Sequence, residues 1–182
     1  MELIIPAYNK FLLKGCSSKY LDLNSGKSKM IVSDCDGIIT DGTSIFTKNG
    51  KVEKTYGSYD KEAIQFMKSV GWNIIFVTDD KAGFEITKSR LDSWGCNVMI
   101  KSSQERANYL KELDKRNFEV LAYIGDSMSD LLCKPYVTDF CTTNNAISYV
   151  RNVASYVSNN NGAHGGFAEI LYHLHEKYKN MQ

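Results

Sequence analysis

Carboxylates follow two apolar segments of this chain, in positions where they could hold a metal ion. Asp34 and Asp36 come directly after residues 30–33, and Asp126 and Asp130 follow a second apolar run. Carboxylates that converge in one pocket repel each other unless a cation joins them, and hard oxygen ligands favour Mg²⁺. A metal-bound carboxylate beside one that can carry protons suits phosphoryl transfer.

The elements that must position these groups alternate regularly along the chain. An apolar strand at residues 72–77 ends at Thr78, and apolar positions at helical spacing follow most strands. Such alternation predicts an α/β fold with a doubly wound, mostly parallel sheet, whose strand ends bring the polar residues to one edge. Strands are predicted at residues 30–33, 72–77, 98–100, 120–124 and 137–141, and helices at residues 60–70, 84–94, 104–116, 129–133, 146–152 and 167–178.

One segment departs from this alternation and predicts a small β-hairpin. Residues 43–46 and 52–56 alternate in character and flank the turn signal Asn49-Gly50. The length of 182 residues fits one α/β domain. We therefore expect an N-terminal leader at residues 1–28, with one short amphipathic turn or helix, and a single domain at residues 29–182.

Composition narrows the function classes. The net charge of +1 gives no electrostatic reason to expect nucleic acid or a membrane surface as partner. No apolar run approaches the length of a membrane span, and the N-terminus lacks the pattern of a secretory signal. The five cysteines are scattered without close pairing, which favours free thiols in a reducing compartment. These features predict a cytoplasmic protein.

The residues 34–42, with the sequence DCDGIITDG, resemble the first motif of haloacid-dehalogenase-type phosphatases, D-x-D-G-x-x-T-D-G. More narrowly, they resemble the cap-less subfamily of 3-deoxy-D-manno-octulosonate 8-phosphate phosphatases, which also includes phosphatases of nine-carbon sialic-type sugar acids. The further matches are the hairpin in place of a cap, Thr78 after the second strand, the acidic motif GDSMSD at residues 125–130, and the glycine-rich segment 162–166 with Glu169.

This resemblance implies a role for each residue of the motifs. Asp34 would attack phosphorus and form an aspartyl-phosphate, and Asp36 would protonate the leaving alcohol and then activate water. Mg²⁺ would be held by Asp34, the backbone carbonyl of Asp36, and Asp126. Asp130 would help directly or through water, although it could instead only cap the following helix. Thr78 would donate a hydrogen bond to the phosphoryl oxygens.

Three further residues are candidates for contact with the substrate. The family's basic residue is counted from a leucine-glycine pair, and the same count from Trp94-Gly95 falls on Arg106. Lys101 is the rival candidate. Arg106 could instead be an ordinary charge on the surface of a helix. His164 is a candidate substrate contact in the glycine-rich segment, or else a surface residue.

The sequence also departs from the family pattern. Thr78-Asp79-Asp80 replaces the usual threonine-glycine-arginine, which places negative charge near a site for an anion unless Asp80 reaches the solvent. Arginines common in the subfamily are replaced as well. The replacing residues are Tyr59, His164 and Ala168, and Ser127 stands for a common second aspartate of the acidic motif.

The sequence therefore predicts a Mg²⁺-dependent phosphoric monoester hydrolase that acts on an eight- or nine-carbon sugar-acid phosphate. The resemblance also implies a homotetramer whose neighbouring subunits complete the site. Two alternatives stay open. The lost arginines motivate a phosphatase of another small phosphorylated metabolite. Asp79, Asp80 and Ser127 motivate a non-catalytic module that drives oligomerisation or binds a sugar-acid cytidylyltransferase.

Overall fold

A six-stranded parallel sheet forms the centre of the molecule. The computed structural model describes residues 29–115 and 120–180. The predicted leader, residues 1–28, lies outside them. Its strands are β1 (Lys29–Ser33), β4 (Trp72–Thr78), β5 (Asn97–Ile100), β6 (Val120–Ile124), β7 (Asp139–Thr142) and β8 (Tyr156–Val157). They lie in the order β5-β4-β1-β6-β7-β8, and all neighbouring strands run parallel.

Helices cover both faces of this sheet, as the alternation of elements predicts. The α-helices are α1 (Asp60–Ser69), α2 (Phe84–Ser93), α3 (Ser103–Asp114), α4 (Ser148–Val153) and α5 (Gly166–Tyr178), and a 3₁₀ helix spans Met128–Tyr136. Successive side chains of a strand point to opposite faces, so a strand covered on both sides must be apolar throughout. Ile31 of β1 accordingly packs with Phe66 and Leu171 on one face. Its neighbour Val32 packs with Leu110 on the other. The predicted fold class is confirmed.

The hairpin lies apart from the main sheet and is shorter than predicted. Its antiparallel strands are β2 (Ile45–Thr47) and β3 (Gly50–Glu53). Gly50, which has a φ of 111°, is already the first residue of β3. Only Lys48 and Asn49 therefore form the turn. A tight turn with left-handed backbone at glycine is a common way to join two antiparallel strands.

The edge strand β8 was not predicted. It comprises two residues, which extend the sheet beyond β7 by pairing with Cys141 and Thr142. Two residues cannot show an alternating pattern, so tertiary pairing alone reveals this strand. The remaining elements match their predicted positions to within a few residues.

Candidate active site

The central strand β1 delivers Asp34 to the carboxyl edge of the sheet. Ser33 pairs in register with Phe76 of β4 on one side and Ile124 of β6 on the other. The backbone N–H of Asp34 continues this ladder by donating to the carbonyl of Ile124 at 2.8 Å. The Asp34 side chain is buried, and the strands on either side of β1 fix the backbone that carries it.

Asp34 meets two other carboxylates there, and we call these three residues the acidic cluster. Each of Asp34, Asp126 and Asp130 offers a carboxylate oxygen that lies within 4.8 Å of the others. Gly37, with a φ of 80°, allows this approach, since a Cβ at that position would overlap the Asp126 carboxylate. The structure therefore brings together the two carboxylate motifs that the sequence placed after separate strands.

Burial and repulsion between carboxylates raise the pKa values of Asp34 and Asp126. Desolvation raises the pKa of Asp34 well above its ordinary value, and Asp130 raises it further. Desolvation and then Asp130 raise the pKa of Asp126 to about 7. Both shifts mean that the negative charges are poorly compensated within the protein. Closely spaced oxygen ligands of this kind fit a hard divalent cation.

Arg106 supplies positive charge from the first turns of α3. The helix begins with a capping box in which Ser102 and Glu105 satisfy each other's backbone N–H groups. Arg106 follows, is buried, and places Nη1 at 2.7 Å from Asp130 Oδ1 and at 3.3 Å from Asp34 Oδ1. Burial lowers the pKa of Arg106, but Tyr123 and the two aspartates outweigh it and raise the pKa above its usual value.

The rival basic residue lies elsewhere. Lys101 Nζ sits over the ring of Tyr109, 5.0 Å from its centroid. Of the two candidates, the structure places Arg106 against the acidic cluster.

Asp130 is the most completely bonded member of the acidic cluster. Its side chain is fully buried, and Oδ1 accepts hydrogen bonds from Arg106 and from the Tyr123 hydroxyl at 2.6 Å. Its Oδ2 accepts from the backbone N–H and the hydroxyl of Ser127. Asp130 thus caps the 3₁₀ helix and also faces the cluster, so the two roles considered for it are compatible. With both oxygens engaged, it fits an indirect contact with a cation better than Asp34 and Asp126 do.

Asp36 belongs to a second group, which we call the lysine cluster: Asp36, Lys51, Lys54 and Asp80. Lys54 Nζ lies 2.8 Å from Asp36 Oδ1 and 2.8 Å from Asp80 Oδ2, and Lys51 Nζ lies 2.6 Å from Asp80 Oδ2. Burial lowers the pKa of Lys54, but its hydrogen bonds to Asp36 and Asp80 outweigh it and raise that pKa.

Lys54 is a site residue that the sequence analysis missed. It follows a hairpin strand, where a lysine is normally solvated, and no local signal distinguishes it from Lys51. Its burial appears only when the loops after β1 and β4 meet the hairpin.

The loop after β4 explains two departures from the family pattern. Thr78 is buried, and its hydroxyl oxygen accepts from the backbone N–H of Asp80 at 3.1 Å. Asp79 is the residue that faces the solvent, with 54% of its side chain exposed. Asp80 is only 17% exposed at its side chain, and it pairs with Lys51 and Lys54. Burial raises the pKa of Asp80, but Lys51 and Lys54 outweigh it and lower that pKa to about 2.

The C-terminal glycine-rich segment lies next to the loop that carries Asp36. Gly162 donates its N–H to Asn145 Oδ1 at 2.7 Å, and Asn145 Nδ2 donates to the carbonyl of Gly37 at 3.0 Å. His164 is exposed, with Nδ1 2.9 Å from the carbonyl of Gly162. Glu169 holds the preceding loop by accepting the backbone N–H groups of residues 159 and 160.

Comparisons with known proteins show which proteins this chain resembles in sequence and in fold. No family model matches the chain. A curated relative, the 3-deoxy-D-manno-octulosonate 8-phosphate phosphatase KdsC of Haemophilus influenzae, is 24% identical over 145 residues, which cover 78% of this chain and 79% of the relative. A probable YrbI-family phosphatase from Pseudomonas syringae superposes with a TM-score of 0.74 at 26% identity, covering 87% of this chain and 92% of that one. The chain has a haloacid-dehalogenase-like fold.

A second solved structure extends this likeness to a liganded protein of the same fold. The 3-deoxy-D-manno-octulosonate 8-phosphate phosphatase of Moraxella catarrhalis, in complex with a magnesium ion, a phosphate ion and a KDO molecule, has a TM-score of 0.72 at 22% identity, covering 87% of this chain and 92% of that one. The comparisons confirm the predicted resemblance and the predicted class, a haloacid-dehalogenase-type phosphatase. The prediction of Mg²⁺ agrees with the magnesium-bound relative and with the acidic cluster of this haloacid-dehalogenase-like chain.

None of the helices in the described part of the chain has both the length and the apolar character that a membrane crossing needs.

Proposed function

We propose that this protein is a Mg²⁺-dependent phosphomonoesterase that acts on an eight- or nine-carbon sugar-acid phosphate in the cytoplasm. The observation that carries the proposal is the acidic cluster, in which Asp34 lies buried beside Asp126 and Asp130 with Arg106 against it. The likeness to octulosonate phosphatases supports the substrate class.

In the proposed reaction, an oxygen of Asp34 attacks phosphorus, and the bond between phosphorus and the ester oxygen breaks. Asp36 gives its proton to the departing alcohol. Water then attacks the aspartyl-phosphate, Asp36 accepts a proton from that water, and the bond between phosphorus and Asp34 breaks to release phosphate. Each step conserves protons, because Asp36 ends in the state in which it began.

The other residues of the site would bind and orient. Asp34, the backbone carbonyl of Asp36, and Asp126 would hold Mg²⁺, with Asp130 acting through its hydrogen bonds to Ser127 and Arg106. The cation would offset the charge of the phosphoryl oxygens as they meet Asp34. The Thr78 hydroxyl accepts one backbone hydrogen bond and can donate its own hydrogen to a phosphoryl oxygen. The guanidinium of Arg106 suits another phosphoryl oxygen.

We also propose that the protein is a homotetramer in which neighbouring subunits complete the site. The hairpin supports this proposal, because Phe46 is 64% exposed and lies beside exposed Ile45 and Val52. An apolar group of this kind is typical of an interface. Sedimentation as a monomer, together with full activity, would contradict it. Lys101 and His164 stay candidate substrate contacts.

The test is phosphate release with and without Mg²⁺, from an aryl phosphate and from a panel of sugar-acid phosphates. Wild type and Asp34→Asn are run side by side, with circular dichroism of both. We expect release that needs Mg²⁺ and falls to background in the variant, and the best substrate of the panel names the substrate class. Folded wild type that releases no phosphate from any substrate would overturn the proposal and favour the non-catalytic module.

A further inference from the structure

Lys54 is held in place from three directions. An ammonium group has three N–H donors, and Lys54 Nζ has three kinds of acceptor within reach. These are Asp36, the carboxylate of Asp80 at 2.8 Å, and the hydroxyl of Thr87 at 2.9 Å. The side chain of Lys54 is fully buried. It therefore has one position, which three separate segments define.

The chain around Lys54 and Asp80 is tightly packed. A Cβ on Gly83 would overlap the carboxylate of Asp80 and lie 2.7 Å from both Lys51 Cδ and Lys54 Cε. The backbone N–H of Gly83 also donates to Asp80 Oδ1 at 3.0 Å. Asp80 is thus fixed at the start of α2, and it fixes Lys54 in turn.

Asp36, by contrast, has little else to hold it. Its side chain is 32% exposed, and its other hydrogen bond, from the Thr40 hydroxyl, is long at 3.4 Å. A residue that both gives and takes a proton must stay within hydrogen-bond reach of the leaving oxygen and of the attacking water. A displacement of about 1 Å can cost roughly a hundredfold in rate.

We propose that Lys54 is a positioning residue that holds the carboxylate of Asp36 in its reactive orientation, with Asp80 and Thr87 fixing Lys54. This inference rests on the proposed phosphatase function and adds to it. It also assigns a role to Asp80, which replaces an arginine of the family pattern. Because Lys54 directly follows β3, the hairpin that stands in place of a cap determines the orientation of Asp36.

The kinetic test compares Lys54→Met with Lys88→Met on p-nitrophenyl phosphate. Lys88 is the matched control, because it directly follows Thr87 on α2 but is exposed and pairs with Asp92 rather than with the lysine cluster. We expect Lys54→Met to lower kcat by about a hundredfold or more, the scale of acid–base catalysis, with KM changed by less than about threefold. Lys88→Met should change kcat by less than about threefold.

Pre-steady-state kinetics separate positioning from general damage. The p-nitrophenolate group leaves without protonation, so the first step needs Asp36 less than the hydrolysis of the aspartyl-phosphate does. Lys54→Met should therefore release p-nitrophenol in a rapid burst and then turn over slowly. A variant that is merely damaged would slow both phases together, and that result would overturn the inference.

A crystal structure of each variant provides a readout that does not depend on activity. We expect the Asp36 carboxylate to leave its present position in Lys54→Met and to keep it in Lys88→Met. An unmoved carboxylate in Lys54→Met would overturn the inference.

If Lys54→Met does not fold, Asp80→Asn replaces it, since that variant keeps Lys54 and removes one of its anchors. We expect a loss in kcat of about tenfold with the same burst, and an unchanged kcat would overturn the inference. Wild type that releases no phosphate would overturn the proposed function and this inference together. Wild-type release that Lys54→Met leaves unaffected would overturn the inference alone.

Discussion

Two groups of carboxylates lie at the same edge of the sheet and are neutralised in different ways. The acidic cluster places three carboxylates around one guanidinium, that of Arg106. The lysine cluster places Asp36 and Asp80 around the ammonium groups of Lys51 and Lys54. The first group therefore has more carboxyl groups than cations, whereas the second pairs two carboxyl groups with two ammonium groups.

The pKa values follow this difference. Desolvation and then Asp130 raise the pKa of Asp126 to about 7, and Arg106 offsets only part of this rise. Desolvation acts on Asp80 too, but two lysines outweigh it and lower its pKa to about 2. The surplus of carboxylates in the acidic cluster suits the proposed binding of a cation. The paired charges of the lysine cluster suit the proposed positioning of Asp36.

Removal of Arg106 should have the largest effect on stability. In metal-free Arg106→Met, Asp130 and Asp34 lose their shared cation, and the free energy of unfolding should fall by about 3–5 kcal/mol. Urea denaturation measures the loss. The control is Lys88→Met, which breaks the exposed pair with Asp92 and should leave the free energy of unfolding nearly unchanged. A loss as small as that of the control would show that Arg106 does not compensate the acidic cluster.

Removal of one carboxylate from each cluster should have effects of opposite sign. The folded-state pKa of Asp126 is raised, so its charge destabilises the metal-free fold above about pH 7, and Asp126→Asn should stabilise it by about 2 kcal/mol at pH 8. The folded-state pKa of Asp80 is lowered, so its charge stabilises the fold above about pH 4 and loses that effect as pH falls through about 2. Asp80→Asn should therefore destabilise it by about 1–2 kcal/mol.

Thermal unfolding in a chelator measures both variants, and titration with Mg²⁺ adds a second readout. Wild type and Asp80→Asn should gain stability with the cation, and Asp126→Asn should gain much less. Changes of equal sign in the two variants would remove the distinction between the clusters.

The sequence predicted the acidic cluster better than the lysine cluster, for a physical reason. Asp34 directly follows the apolar strand β1, and Asp126 follows β6 after one glycine, so local pattern and the geometry of parallel sheets were sufficient to bring them together. Lys54 is buried only because Asp80 and Thr87 come from other segments to meet it. No pattern in its own neighbours distinguishes it from a solvated lysine.

The same limit applies to the smallest elements of the fold. The long strands and helices follow from hydrophobic periodicity over many residues. The two-residue strand β8 exists through its pairing with Cys141 and Thr142, and the bounds of the hairpin depend on the backbone of Gly50. Both are decided by contacts or single φ angles that a composition pattern does not contain.

Asp60 is a buried carboxylate that belongs to neither cluster, and its replacement should have the smallest effect on stability. Asp60, the first residue of α1, is fully buried, and desolvation raises its pKa to about 7, with the Ala168 N–H and Arg90 offsetting only part of the rise. Because the folded-state pKa lies above the ordinary value of 3.8, the folded protein binds more protons than the unfolded chain between about pH 4 and 7. Stability from this group is thus present at low pH and lost as pH rises to about 7.

Asp60→Asn removes that loss. The free energy of unfolding of the variant, relative to that of wild type, should therefore be about 1 kcal/mol larger at about pH 8 than at about pH 5. Thermal unfolding of both proteins at the two pH values measures the change, and Asp92→Asn, an exposed carboxylate on α2, is the control. An equal pH dependence in Asp60→Asn and wild type would mean that Asp60 stays charged in the folded protein. A cation or donor would then compensate it, and Asp60 would resemble the lysine cluster rather than the acidic one.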